Sequence, residues 1–280
     1  MENNNSNIVN DIKSLVNKYL TESESNDLLR VIEEDVALKT NEELFPSETE
    51  REQVEHVFPK GTEFRLLIDR IITECENLLP EDKFYKLMID LSQLMLFSGE
   101  NSFALEIAEY KLNKLNSQDN FPLITAETNL MIARIHWAQA YWDDCSYYIS
   151  EAMKIFQSLE NNPGMAKCEN MLGTLYGEKG DFSEAKNHLE NALIYLKDEE
   201  DHLSHAMILS NLGIINAIQG DYEKAVWNCK NSVEKFEKLN DIPRLSRVYH
   251  NIGMLYSRME QYDSALDEFN KCITLSLKNN

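Results

Sequence analysis

Glycine and proline are scarce in this chain, with 9 and 6 among 280 residues. A fold built on tight turns and short strands needs more of both. Apolar residues recurring three and four apart predict long helices joined by short loops instead. Cysteine is scarce too: Cys75, Cys145, Cys168, Cys229 and Cys272 are odd in number, scattered and without a CxxC pair. That argues against a disulfide framework or a structural zinc site and predicts reduced, small core residues. Basic charge is in deficit, 27 residues against 48 acidic for a net charge of -21. Such a chain repels phosphate backbones and anionic membrane surfaces, so no nucleic acid and no membrane is expected as a direct partner. No apolar run approaches the length of a bilayer span, and the opening MENNNSNIVN lacks a basic stretch followed by an apolar one. The expected location is cytoplasmic.

Chemical motifs are missing as well. The chain has no Gly-rich phosphate loop, no HExxH and no nucleophile elbow, so neither an enzymatic activity nor a cofactor is expected. The strongest metal-like cluster is DEEDHLSH, with His202 and His205 beside Asp198 and Asp201. It falls at a loop-helix junction, where acidic residues ordinarily cap helices.

What the chain does have is a repeat. GDFSEA at 180–185 returns as GDYEKA forty residues later and as EQYDSA forty after that. Ala104, Cys145, Ala185, Ala225 and Ala265 are equivalent small residues, separated by 41, 40, 40 and 40. Twelve residues before them stand Ser92, Ala133, Gly173, Gly213 and Gly253. A helix pair packs closely only where neither contact point is bulky, so these two sets predict the crossing points of successive helix pairs. The pairs are expected at 81–98 with 102–116, 122–139 with 142–159, 164–179 with 182–197, 202–219 with 222–239, and 243–259 with 262–278. Pro122, Pro163 and Pro243 fall where a first helix begins and a missing amide donor costs little, and Asp241 is an expected N-cap.

The NLG triplet, the tyrosine three residues after the glycine in MLGTLY and NIGMLY, the GDY turn and the alanine three residues beyond its tyrosine resemble the tetratricopeptide repeat over residues 81 to 280. The forty-residue period is similar to that of kinesin light chains and of bacterial peptide-pheromone receptors. The resemblance implies an all-α, right-handed superhelical solenoid of antiparallel helix pairs over residues 61–280. Residues 1–60 are expected to form an irregular, acidic, helical N-terminal region or cap. In it 8–20 and 27–39 carry apolar faces, and helices expected near 47–58 and 62–79, on either side of the breaker FPKG, would make a degenerate first repeat. Residues 1–40 either cap the stack or form a separately packed hairpin. The last helix, with Leu266, Phe269, Ile273, Leu275 and Leu277, has no later partner, so the solenoid is expected to be truncated at its C-terminal end. The alternative is self-association through that uncapped repeat.

In this family the first helices line a groove. Carried onto the chain, the resemblance assigns Arg134, Trp137, Lys167, Asn170 and Asn211 to that face, followed by Arg247, His250, Asn251 and Arg258. Trp137 is divided between groove and core, whereas Trp142 takes a core position. The basic residues reverse the sign of the whole molecule, and they serve either a ligand or acidic neighbours on adjacent helices. The family's carboxylate-clamp order is not reproduced, since Met171, Met207 and Ser210 stand in its places, which weighs against chaperone-tail binding. The expected function is a non-catalytic scaffold that binds a protein or extended peptide segment, acidic in character. The alternative is the sensor or regulatory region of a longer signalling protein.

Overall fold

The computed structural model describes residues 3–30, 62–116, 120–197 and 201–278. The expected helix at 47–58, the FPKG breaker and the part of 27–39 after residue 30 lie outside them. Every regular element among the described residues is an α-helix. The first compact unit, residues 1–139, contains α1 (Asn3–Tyr19), α2 (22–30) and α3 (Thr62–Leu78). It continues with α4 (Glu81–Phe97), α5 (Asn101–Asn116) and α6 (Pro122–Ala138). The second unit, residues 140–280, opens with α7 (Trp142–Ser158), α8 (Asn162–Glu178) and α9 (Phe182–Tyr195). It ends with α10 (His202–Ile218), α11 (Tyr222–Leu239), α12 (Ile242–Arg258) and α13 (Tyr262–Lys278). The boundaries of α4 to α13 fall within two residues of those expected from the repeat, whereas α1 and α2 each begin five residues before the apolar segments expected at 8–20 and 27–39.

The repeated GD turn does two jobs in sequence. Gly180 and Gly220 adopt left-handed φ values of 82° and 84°, and the amide of the next residue reaches back to the helix, Asp181 to the Tyr176 carbonyl and Asp221 to that of Asn216, both at 2.9 Å. This is the Schellman stop. The same aspartates then start the following helix: Asp181 accepts from the Glu184 amide and Asp221 from the Lys224 amide. First helices begin likewise on Asn161, Asp201 and Asp241. Ala140 and Glu260 occupy the equivalent left-handed position, each with φ of 60°. An L side chain is strained there, and both residues are exposed. Glu260→Gly should therefore raise stability by about 1 kcal/mol, read as a higher Tm. Gly in place of Lys179, whose φ is -72°, should give no gain.

The crossing points are buried as the repeat requires. Ala104, Cys145, Ala185, Ala225 and Ala265 are at most 4% exposed. A Cβ placed on Gly213 would lie 2.5 Å from Cys229 Sγ, and one on Gly173 would lie 3.1 Å from the Ala185 carbonyl. Where the first described crossing carries Ser92 instead, its hydroxyl donates to the Ala104 carbonyl at 2.7 Å. In the second unit the apolar core runs in series. One cluster joins α8, α9 and α10 through Ala166, Leu189, Leu196 and Ile208; the next joins α10, α11 and α12 through Ala206, Val233, Phe236 and Ile252. The match between repeats is imperfect at Asn216, which takes the place of Tyr176 and Tyr256. It is fully buried, and neither amide atom has a hydrogen-bond partner among the described residues.

In the first unit α1 packs on α4. Lys18 Nζ and Tyr19 Oη both donate to Asp90 Oδ2, at 2.6 and 2.7 Å, and burial followed by that bond pushes the Tyr19 hydroxyl pKa up. Arg65 of α3 pairs with Glu106 of α5 and lies over the Phe103 ring. At the other end of the chain, Phe269 packs against Gly253 and Leu275 against the α10–α12 core. Leu266, Ile273 and Leu277 remain exposed.

Candidate functional site

Each first helix of the second unit carries a stripe of exposed or half-buried residues at spacings of four, three and four. On α8 the stripe is Lys167, Met171, Thr174 and Glu178; on α10 it is Met207, Asn211, Ile214 and Ile218; on α12 it is Arg247, Asn251, Met254 and Arg258. The spacing keeps each set on one side of its helix, while the crossing glycines face the second helices. α10 touches both α8 and α12. Asn211 Nδ2 donates across to Asn170 Oδ1 at 2.9 Å and lies 3.5 Å from Thr174 Oγ1. The stripes of α8 and α10 therefore share one surface, and an amide donor on Asn170 and a carbonyl acceptor on Asn211 remain beside it.

Lys167, Arg247 and Arg258 are exposed, and none is joined to a carboxylate by an ion pair among the described residues. Lys167 nevertheless acts on its surroundings. Burial pushes the Asp201 carboxyl up, but hydrogen bonds from Ser204 and the charges of Lys167 and His205 bring it below its ordinary pKa. His250 is exposed at the edge, with its ring 5.6 Å from Phe269. Ile214, Ile218 and Met254, 43%, 52% and 45% exposed, form an apolar shelf beside the amides. The resemblance did not assign Ile218 to this face, although it stands one turn beyond Ile214, at the register that Arg258 occupies on α12.

Arg134 and Trp137 lie on α6, in the first unit. Arg134 is half-buried and donates to Gln93 Oε1 of α4 at 3.1 Å. Trp137 is half-buried, and its indole nitrogen is enclosed without a hydrogen-bond partner among the described residues. Trp142 is also half-buried.

Asp201 caps α10, accepting from both the amide and the hydroxyl of Ser204. Among the described residues no group of three His, Cys, Asp or Glu side chains is placed to hold a metal ion. Burial pushes the Cys168 and Cys229 thiols up to about 12 and those of Cys75 and Cys145 to about 11, which keeps them un-ionised and poorly nucleophilic at neutral pH. No described helix is long and apolar enough to cross a membrane.

Comparison with known proteins agrees with this architecture. The chain is 25% identical over 170 residues to the regulatory protein RapG of Bacillus subtilis (strain 168), a match covering 57% of this chain and 45% of RapG. It is 34% identical over 114 residues to the photosystem I assembly protein Ycf3 of Rippkaea orientalis, covering 36% of this chain and 61% of Ycf3. The chain thus spans less than two thirds of the curated relatives it matches. The crystal structure of a Rap protein complexed with competence and sporulation factor superposes with a TM-score of 0.64 at 18% identity, covering 96% of this chain and 77% of that one. That likeness is one of fold. The tetratricopeptide repeat family model matches residues 124–194 and 201–278, just over half of the sequence, and the chain belongs to the tetratricopeptide repeat family.

Proposed function

We propose that this chain is a non-catalytic binding module that holds a protein or peptide segment along the first-helix face of residues 162–258. The hydrogen bond from Asn211 to Asn170 carries this reading. It fixes two carboxamides side by side and leaves one donor and one acceptor, the pair that an extended backbone needs in order to bind without leaving buried polar groups unmet. Unpaired Lys167, Arg247 and Arg258 favour an acidic partner. The Rap protein of the similar structure is complexed with competence and sporulation factor, which supports a binding role for this fold. A cytoplasmic site of action belongs to the same proposal. A second reading makes groove occupancy a regulatory input to a signalling output, and it is favoured by the relative named regulatory protein RapG.

A photoreactive residue at Ile214 should form adducts with bound segments, whereas one at Trp227, 62% exposed on the second helix α11, should not. Joint Arg247→Glu and Arg258→Glu substitution should abolish the Ile214 adducts while circular dichroism stays unchanged. Equal labelling from both positions, or labelling indifferent to the charge reversal, defeats the assignment.

A further inference from the structure

The stripes on α8, α10 and α12 form parallel tracks with different chemistry. Near the helix starts, one edge presents Lys167 and Arg247 with Met207 between them. The amides of Asn170 and Asn211 form the floor, and the opposite edge carries exposed Ile214, Ile218 and Met254, with the charged Glu178 and Arg258 at its two ends. A segment crossing the helices with its backbone on the amide floor must send alternate side chains to the two edges, because an extended chain repeats every two residues. Its edges therefore have different requirements, one ionic and one apolar.

Spacing makes the requirement specific. Adjacent helices pack about 8–10 Å apart, so Lys167 and Arg247, two first helices apart, are separated by roughly 16–20 Å. Extended chain advances about 3.3 Å per residue, so about five or six residues cover that interval. Only an even number returns to the same edge, which selects six.

We infer that the partner taken on this face is an extended segment with two carboxylates about six residues apart on one edge and apolar side chains on the other. This rests on the binding-groove reading above and names the ligand class for it. The chain's strongly acidic surface, net charge -21, discourages such a segment elsewhere and makes the basic edge the place where it is held.

A random dodecapeptide display library panned over the whole chain, followed by fluorescence anisotropy with synthetic peptides at low salt, tests the inference. The enriched peptides should alternate, with the acidic pair in that spacing. The labelled peptide Glu-Val-Ser-Leu-Thr-Val-Glu should bind about tenfold more tightly than Glu-Val-Ser-Leu-Thr-Glu-Val, in which the second carboxylate moves to the opposite edge. Arg247→Glu should erase that difference with helicity unchanged, and Ile214→Asp should weaken both peptides. Equal binding of the two peptides overturns the inference, as does enrichment of basic peptides. Enriched peptides that are lost on joint Asn211→Ala and Asn251→Ala substitution but lack the acidic spacing overturn it while leaving the groove reading intact. No enrichment at all overturns both.

Discussion

Gly213→Val should lower the unfolding free energy of residues 140–280 by about 3 kcal/mol, among the larger effects expected from one substitution in this chain. In an ordinary helix interior, glycine is the weaker choice, costing about 1 kcal/mol relative to alanine. Here a Cβ would stand 2.5 Å from Cys229 Sγ and 3.3 Å from the Ala225 carbonyl. The sulfur can move only by turning about one torsion inside a buried contact, and the carbonyl belongs to the backbone, so α10 and α11 must part. Gly213→Ala alone should already destabilise, by about 1–2 kcal/mol after its gain in helix propensity. Combining it with Cys229→Ala removes the sulfur, so the double variant should recover most of the loss. Urea titration followed by circular dichroism measures all three. Gly213→Ala as stable as the parent would show that the crossing does not depend on close approach.

The second large effect concerns Lys111. In the repeat frame it stands where later repeats carry Ala152, Ala192, Ser232 and Cys272, and opposite it Tyr85 replaces Ala126, Ala166, Ala206 and Ser246. A small-small contact, seen where the Ser232 hydroxyl donates to the Ala206 carbonyl, has become a lysine lying 6.0 Å from the centre of a tyrosine ring. Lys111 is 1% exposed, and its amine has no hydrogen-bond partner among the described residues. Burial pushes its pKa down from 10.5 to about 6, against the opposing pull of Glu127 and Asp90.

Between those two values the unfolded chain binds a proton that the folded chain does not, so stability rises with pH across the window. The cost is full below about pH 6 and gone above about 10.5. Lys111→Met keeps the bulk and removes the charge. It should stabilise residues 1–139 by something on the order of 3 kcal/mol at pH 7. Its advantage should shrink as pH rises from 7 to 10, by up to about 1.4 kcal/mol per unit. An advantage independent of pH would mean that the amine is solvated and charged in the folded protein.

Much of this protein was legible before any coordinates. The interval from Ala104 to Ala265, the glycines twelve residues upstream and the GD turn marked the helix pairs, because crossing, stopping and capping each demand a particular residue at a particular place. The same local logic identified Asp241 as a cap, whereas Lys167, Asn211 and Arg247 were assigned to the first-helix face only by the resemblance to tetratricopeptide repeats. It did not reveal that Asn211 would bind Asn170, that Arg134 would turn to Gln93, or that Ile218 would extend the apolar shelf. These contacts join residues 41 apart or complete a surface shared by three helices, and they depend on how one helix pair settles on the next. Nor did the sequence show that Lys111 is buried or that Lys18 and Tyr19 converge on Asp90 across 72 and 71 residues. The sequence by itself determined the helices, their turns and their crossing points, since those follow from backbone sterics and periodicity within a few residues. The pairing of side chains between repeats was decided only by tertiary packing, because the stacking of large side chains around each small contact sets the relative placement of the helices.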